Sequence, residues 1–236
     1  MSFRGQRPPE HYVDLPRSAK GIDPQHPCPL ADRCVISAIL NDTRDLALSL
    51  DVSDQLRLLK SLGHWVGDIH QPLHVSFDDD RGGNLIAIQG PCRSNLHAVW
   101  DACIIEKKIG LDYTADRRRL RAEITDDDRK RWIPPTLDTA AVVAWANESS
   151  AIAERPDVKY CIQKEGACWY SAEQQQYRGG PQRIVAVDDA YLAAQASRGT
   201  RASQDGWRQA WSDPQHSPDA RIRPTAEVWD SDWTFP

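Results

Sequence analysis

The chain has 236 residues, 40% of them hydrophobic and 27% charged, with nine tryptophans and a formal net charge of −5. A chain of that length and composition can bury a real core, which excludes a disordered polymer. Its acidity excludes attraction to a phosphate backbone through overall charge. A polyanionic substrate would need local positive charge, and bound metal ions are one source.

No stretch approaches the roughly 20 apolar residues of a membrane helix, and the opening "MSFRGQRPPE" lacks the apolar segment of a secretory signal. There are six cysteines, and Cys28 lies close to Cys34, as Cys161 does to Cys168. An even count at short spacings favours disulfides and an oxidising compartment, with the pairing left open.

Leu58, Leu59, Leu62, Trp65, Val66 and Ile69 recur at helical spacing and predict one amphipathic helix, ended by Pro72. "GGNLIAI", Gly82 to Ile88, predicts one arm of a small β-hairpin lying between two helices. Leu96, Val99, Trp100 and Cys103 predict the next helix, with Asn95 as its cap. "ADRRRLRAEITDDDRKRW", Ala115 to Trp132, predicts a charged helix with a solvated face, followed by a turn at Pro134 and Pro135. "TAAVVAWANESSAIAER" predicts a further helix, with Pro156 just beyond it. From Ser197 to Pro236 leucine is absent, and Ile222 and Val228 are the remaining long aliphatics. The expected organisation is an all-α domain over residues 1–196, with one small hairpin, and a loosely ordered tail over 197–236.

Three of the seven histidines fall within "HWVGDIHQPLH", His64 to His74. His64 and Asp68 are spaced to share a helix face, and His97 and Asp101 repeat that spacing on the next helix. A lone exposed His–Asp pair is usually a surface pair. Two such pairs, with His74 just past the first, point to metal, and mixed imidazole and carboxylate ligands suit zinc. Gly63 and Gly67 beside the first pair imply a close approach. His70 has no ligand partner at helical spacing and reads as a supporting or surface residue. There is no Walker loop, GxSxG elbow, dinucleotide fingerprint or Cys-x-x-Cys knuckle.

"HYVDLP", "CVISAIL", "LGHWVGDIHQPLH", "DRGGN", "NLHAVWD" and "WANES" occur in this order between about Glu10 and Leu192. In order and spacing they resemble the single-strand-specific zinc nucleases of the S1/P1 type, which share a helical fold with zinc-dependent phospholipase C. The resemblance implies three zinc ions in a cleft and cleavage of RNA and single-stranded DNA to 5′-phosphorylated products. It implies that His74, His97 and Asp101 hold one zinc, and that His11, His64 and Asp68 belong to a zinc pair bridged by Asp68. Asp68 and His64 thereby become the residues nearest the chemistry. Tyr12 and Asp14 match the family's nucleobase pocket, and the family acts outside the cytoplasm, in secreted or periplasmic form. No membrane or protein partner is implied.

Only ten residues precede His11, and they include no Trp, His, Asp or Cys. The family's remaining zinc ligands lie upstream of the "HYVD" motif. The expectation is therefore one complete zinc site and one partial site, with Met1 not the ancestral start and a reading-frame shift near Ala196. Two rival readings accompany it. One is a phospholipase C-like enzyme with the same metals, and the other is a catalytically inactive zinc-binding remnant.

Overall fold

In a computed structural model of the chain, the described residues are 8–92, 94–109, 134–161 and 183–196, with short pieces at 122, 125–127, 130, 163–164 and 167–168. The charged segment 115–132 therefore lies almost wholly outside the described residues, and the 197–236 tail entirely so.

A helical hairpin, α1 (Val35–Leu48) and α2 (Val52–Ile69), forms one side of the core. The Asp51 carboxylate accepts the Asp54 N–H and so starts α2 with a side-chain cap. The expected stripe faces inward: Leu58, Trp65, Val66 and Ile69 are buried, and Leu59 and Leu62 are half-buried. On α1, Ile36 and Ile39 are fully buried, and Asp42 accepts the Trp65 indole N–H at 2.8 Å. That bond gives a buried carboxylate the partner it needs.

Beyond α2 the chain makes a 3-10 turn, Pro72–His74, and enters strand β2 (Val75–Phe77). This strand pairs in parallel with β1 (Val13–Leu15), in the register Val13↔Val75 and Leu15↔Phe77. A second 3-10 turn, Pro8–His11, precedes β1. The parallel register thus sets His11 and His74 side by side at the same end of the pair.

The expected hairpin arm is strand β3 (Ala87–Gln89), and here the structure corrects the sequence reading. Its ladder partner is a distant strand, Ile184–Ala186, paired in parallel, while the local closure is a single antiparallel bridge from Ala87 to Asn95. A small antiparallel hairpin does exist, between β4 (Gln163–Lys164) and β5 (Ala167–Cys168), which makes Ile184–Ala186 β6. The physical reason is that a two-stranded ladder needs packing beneath it, and the β6 partner supplies it through buried Val185, with Val187 just beyond.

The helix expected from Leu96 is interrupted. A short α3 (Leu96–Ala98) passes into a π-helical turn, Val99–Cys103, and then into α4 (Ile104–Ile109). Asn95 caps it as expected, accepting the Ala98 N–H at 2.9 Å. A further long helix, α5 (Thr139–Ala153), starts at the Asp138 cap and packs on α1, β2 and the Pro72–His74 turn. Its Asn147 clamps Ile22 through both backbone groups, at 2.8 and 3.3 Å. Disulfides join Cys28 to Cys34 and Cys92 to Cys103, and Cys161 is disulfide-bonded as well. No helix among the described residues is long and apolar enough to cross a membrane.

Candidate metal centre

Among the described residues, two groups of three potential ligands form, each assembled from two parts of the chain: His11, His64 and Asp68, and His74, His97 and Asp101. In the first, α2 carries His64 and Asp68 one turn apart, and the Pro8–His11 turn supplies the third side chain. The Asp68 Oδ2 atom lies 3.0 Å from His11 Nδ1 and 3.2 Å from His64 Nε2, and the two imidazole nitrogens are 3.0 Å apart. The rings stand edge to face, at 84°, and both also meet the Trp65 indole edge to face.

In the second group His97 and Asp101 lie on either side of the start of the π turn, and His74 comes from the 3-10 turn after α2. Asp101 Oδ1 is 3.2 Å from His74 Nε2, and its Oδ2 is 3.5 Å from His97 Nε2. The two rings stack, with centroids 4.9 Å apart. Each ring is oriented from behind by a backbone carbonyl. His74 Nδ1–H donates to the His11 carbonyl and His97 Nδ1–H to that of Gly82, both at 2.8 Å. An acceptor at Nδ1 places the hydrogen there and leaves each Nε2 lone pair facing Asp101, the tautomer a metal requires.

Whether these residues fit zinc can be tested on their spacing. Metal–ligand bonds of about 2.0–2.1 Å in a tetrahedron put ligand atoms roughly 3.3 Å apart. In the first group the donor separations are 3.0, 3.0 and 3.2 Å, and in the second the two Asp101–histidine separations are 3.2 and 3.5 Å. Three protein ligands with a further position open is the pattern of a reactive rather than a structural zinc site. The two groups also adjoin, since Asp68 Oδ1 lies 3.5 Å from His74 Nδ1.

Electrostatics support the same reading. Burial holds His64 below its usual pKa, against the opposing pull of Asp68, and burial likewise lowers His97 against the pull of Asp101. Both therefore favour the neutral form that can ligate. His74 is also pushed down by burial, but the Asp101 hydrogen bond and the Asp68 charge outweigh this and raise it. Asp101 is pushed up by burial, yet its bond to His74 and the neighbouring imidazoles bring it below the usual range. Without metal, the raised His74 and lowered Asp101 favour an imidazolium–carboxylate pair with the second proton on Nε2, and a bound cation would displace that proton.

Tyr12 and Asp14 lie next along the chain from His11. The Tyr12 side is open, at 37% exposure, while Asp14 sits half-buried on β1. Burial first, then the charges of Asp78 and Asp80, raise the Asp14 pKa to about 6.

A family model for S1/P1 Nuclease matches residues 3–180. The chain belongs to the S1/P1 nuclease family. All six candidate ligands, Tyr12 and Asp14 fall within the matched S1/P1 nuclease segment. Among individual members, Endonuclease 4 of Arabidopsis thaliana is 37% identical over 164 residues, which cover 61% of this chain and 55% of that protein. Nuclease S1 of Aspergillus oryzae is 36% identical over 105 residues, 43% of this chain and 36% of that enzyme. Nuclease P1 of Penicillium citrinum is 33% identical over 104 residues, 42% and 38% respectively. The chain spans about half, or less, of the length of these curated relatives.

The sequence-based reading of His70 is corrected by the structure. It is neither at the surface nor behind the metal ligands: it is 3% exposed, donates to the Val66 carbonyl at 2.8 Å and packs beside Trp145. Burial lowers its pKa to about 4. Two supporting residues escaped residue-level reading. Gln71 donates to Asp101 from 30 positions upstream, and Gly82 offers its carbonyl to His97. The available signal for Gly82 was the paired glycine of "DRGGN"; for Gln71 nothing local distinguished it from a surface amide.

Proposed function

We propose that this chain is a zinc-dependent nuclease that hydrolyses phosphodiester bonds in single-stranded DNA and RNA, leaving 5′-phosphates. The observation that carries the reading is the pair of adjoining His–His–Asp groups, with Asp68 facing both. His74, His97 and Asp101 would hold one zinc, and His11, His64 and Asp68 a second, with His64 and Asp68 nearest the reacting phosphate. Bound zinc supplies Lewis acidity to the phosphodiester and lowers the pKa of the attacking water. It also offsets the protein's net negative charge where the phosphate must come.

The chain's own residues do the rest. The His11 and Gly82 carbonyls fix which imidazole nitrogen faces the site. The exposed Tyr12 ring offers a stacking face for a base, a contact worth about 1–3 kcal/mol and tolerant of sequence. Asp14 beside it accepts base N–H groups when ionised, above about pH 6. The disulfides support action in an oxidising, extracytoplasmic setting.

Incubation with single-stranded DNA, RNA, duplex DNA and phosphatidylcholine tests the assignment. The expected outcome is cleavage of the first two to 5′-phosphorylated products, lost on chelation and restored by zinc. Replacing His64 or His97 by Ala should reduce the rate by at least about a hundredfold. Hydrolysis of phosphatidylcholine to diacylglycerol and phosphocholine without nucleic-acid cleavage would favour the phospholipase C-like reading instead. Zinc bound with no hydrolysis of any substrate would favour the inactive remnant.

A further inference from the structure

Gln71 stands at the joint between α2 and the Pro72–His74 turn, and its side-chain amide is used at both ends. Its Oε1 accepts the Leu73 N–H, capping the turn that presents His74. Its Nε2 donates at 2.8 Å to Oδ1 of Asp101, which belongs to the π turn of a different segment. One neutral side chain thus spans the two segments whose ligands must meet.

Asp101 needs such support more than its neighbours do. His74 and His97 are each held by a backbone carbonyl, and their side chains are 13% and 16% exposed. The Asp101 side chain is 43% exposed. A carboxylate that open can rotate about its terminal torsion, which has broad wells, and trade its hydrogen-bond partners for water. The Gln71 amide donor opposes that rotation by occupying Oδ1, with Oδ2 left towards His97 Nε2. Being uncharged, the amide orients the anion without competing for a metal's charge or adding a second carboxylate.

We propose that Gln71 is a positioning residue for the His74–His97–Asp101 metal site, locking the Asp101 carboxylate and the His74 turn into one geometry. This inference rests on the metal reading given above. It assigns no contact between Gln71 and substrate.

Cobalt(II) titration of the full chain, followed by visible absorption and by competition with zinc, tests it. His64→Ala and His97→Ala in the same assay assign each binding step to its group. Gln71→Ala should weaken the His97-dependent step by about 10–100-fold, the range for residues that orient metal ligands. The His64-dependent step should stay within about twofold. Gln71→Ser is the decisive second variant, because serine caps a helical turn well but is too short to reach Asp101. It should weaken the same step as alanine does, with an altered cobalt spectrum.

Near-normal affinity in Gln71→Ser would reduce the residue to a cap and overturn the proposal. Equal weakening of both steps would mean general destabilisation and overturn it too. Loss of no step in His97→Ala would instead sink the metal reading itself, and this inference with it.

Discussion

His70 and His74 lie one turn apart and have opposite fates. His74 sits where two carboxylates and a carbonyl raise its pKa against burial; His70 is buried beside Trp145 with no carboxylate bonded to it, and burial lowers it to about 4. For His70 the folded pKa is below the unfolded value of about 6.5, so the unfolded chain binds the extra proton. Its contribution to stability is complete above about pH 6.5, is lost as pH falls towards 4, and changes no further below that. The loss is on the order of 3 kcal/mol for a shift of this size. Urea unfolding between pH 4 and 7, with chelator present so that metal release does not contribute, should show this slope. His70→Gln should flatten it, and an unchanged slope would assign the acid sensitivity to other groups.

Gly82 and Gly83 show how an element is fixed by its backbone. Arg81, Gly82 and Gly83 all have positive φ, at 55°, 61° and 81°. A Cβ on Gly82 would meet the Leu73 carbonyl at 2.4 Å, whereas one on Gly83 would find ordinary contacts at 3.4–3.5 Å. The turn is held from beneath by buried Asp80, which accepts from the Gly83 N–H, the Tyr160 hydroxyl and Arg17. Gly83→Ala should therefore cost about 1–2 kcal/mol, the ordinary left-handed penalty. Gly82→Ala should cost more, about 2–4 kcal/mol, because a backbone carbonyl cannot step aside as a side chain can. It should also weaken metal binding at His97, whose ring leans on the Gly82 carbonyl. Chemical denaturation of the two variants side by side checks the order; equal costs would mean that the turn shifts freely.

At the scale of the molecule, the metal sites join parts of the chain that are far apart in sequence. His11 precedes β1, His64 and Asp68 ride on α2, His97 lies on α3 and Asp101 in the π turn. Ions bound only by the folded form stabilise it by mass action, about 2.7 kcal/mol at a free concentration a hundred times the dissociation constant. For a chain of this size that is a melting shift of roughly 5–10 °C. Thermal melts with saturating zinc and with chelator should differ by this much. Coincident melts would mean that the two groups hold no ion.

The sequence by itself determined the long helices α2 and α5 and the two i, i+4 ligand pairs. Both are local: the stripe from Leu58 to Ile69 and the spacings His64–Asp68 and His97–Asp101 follow from helical geometry alone. His74 was legible from its place just past the first pair, whereas His11 was legible only through the resemblance of "HYVD" to a known motif. No periodicity links position 11 to position 74, because what joins them is a parallel strand register. The same limit explains β3, whose apolar run could not announce a partner near residue 184, and His70, whose helical spacing could not show that Trp145 would cover it. The tertiary structure alone decided which side chains stand behind the ligands. Gln71 and the Gly82 carbonyl act across long sequence distances, and a hydrogen bond of that kind exists only once the packed core has fixed both ends.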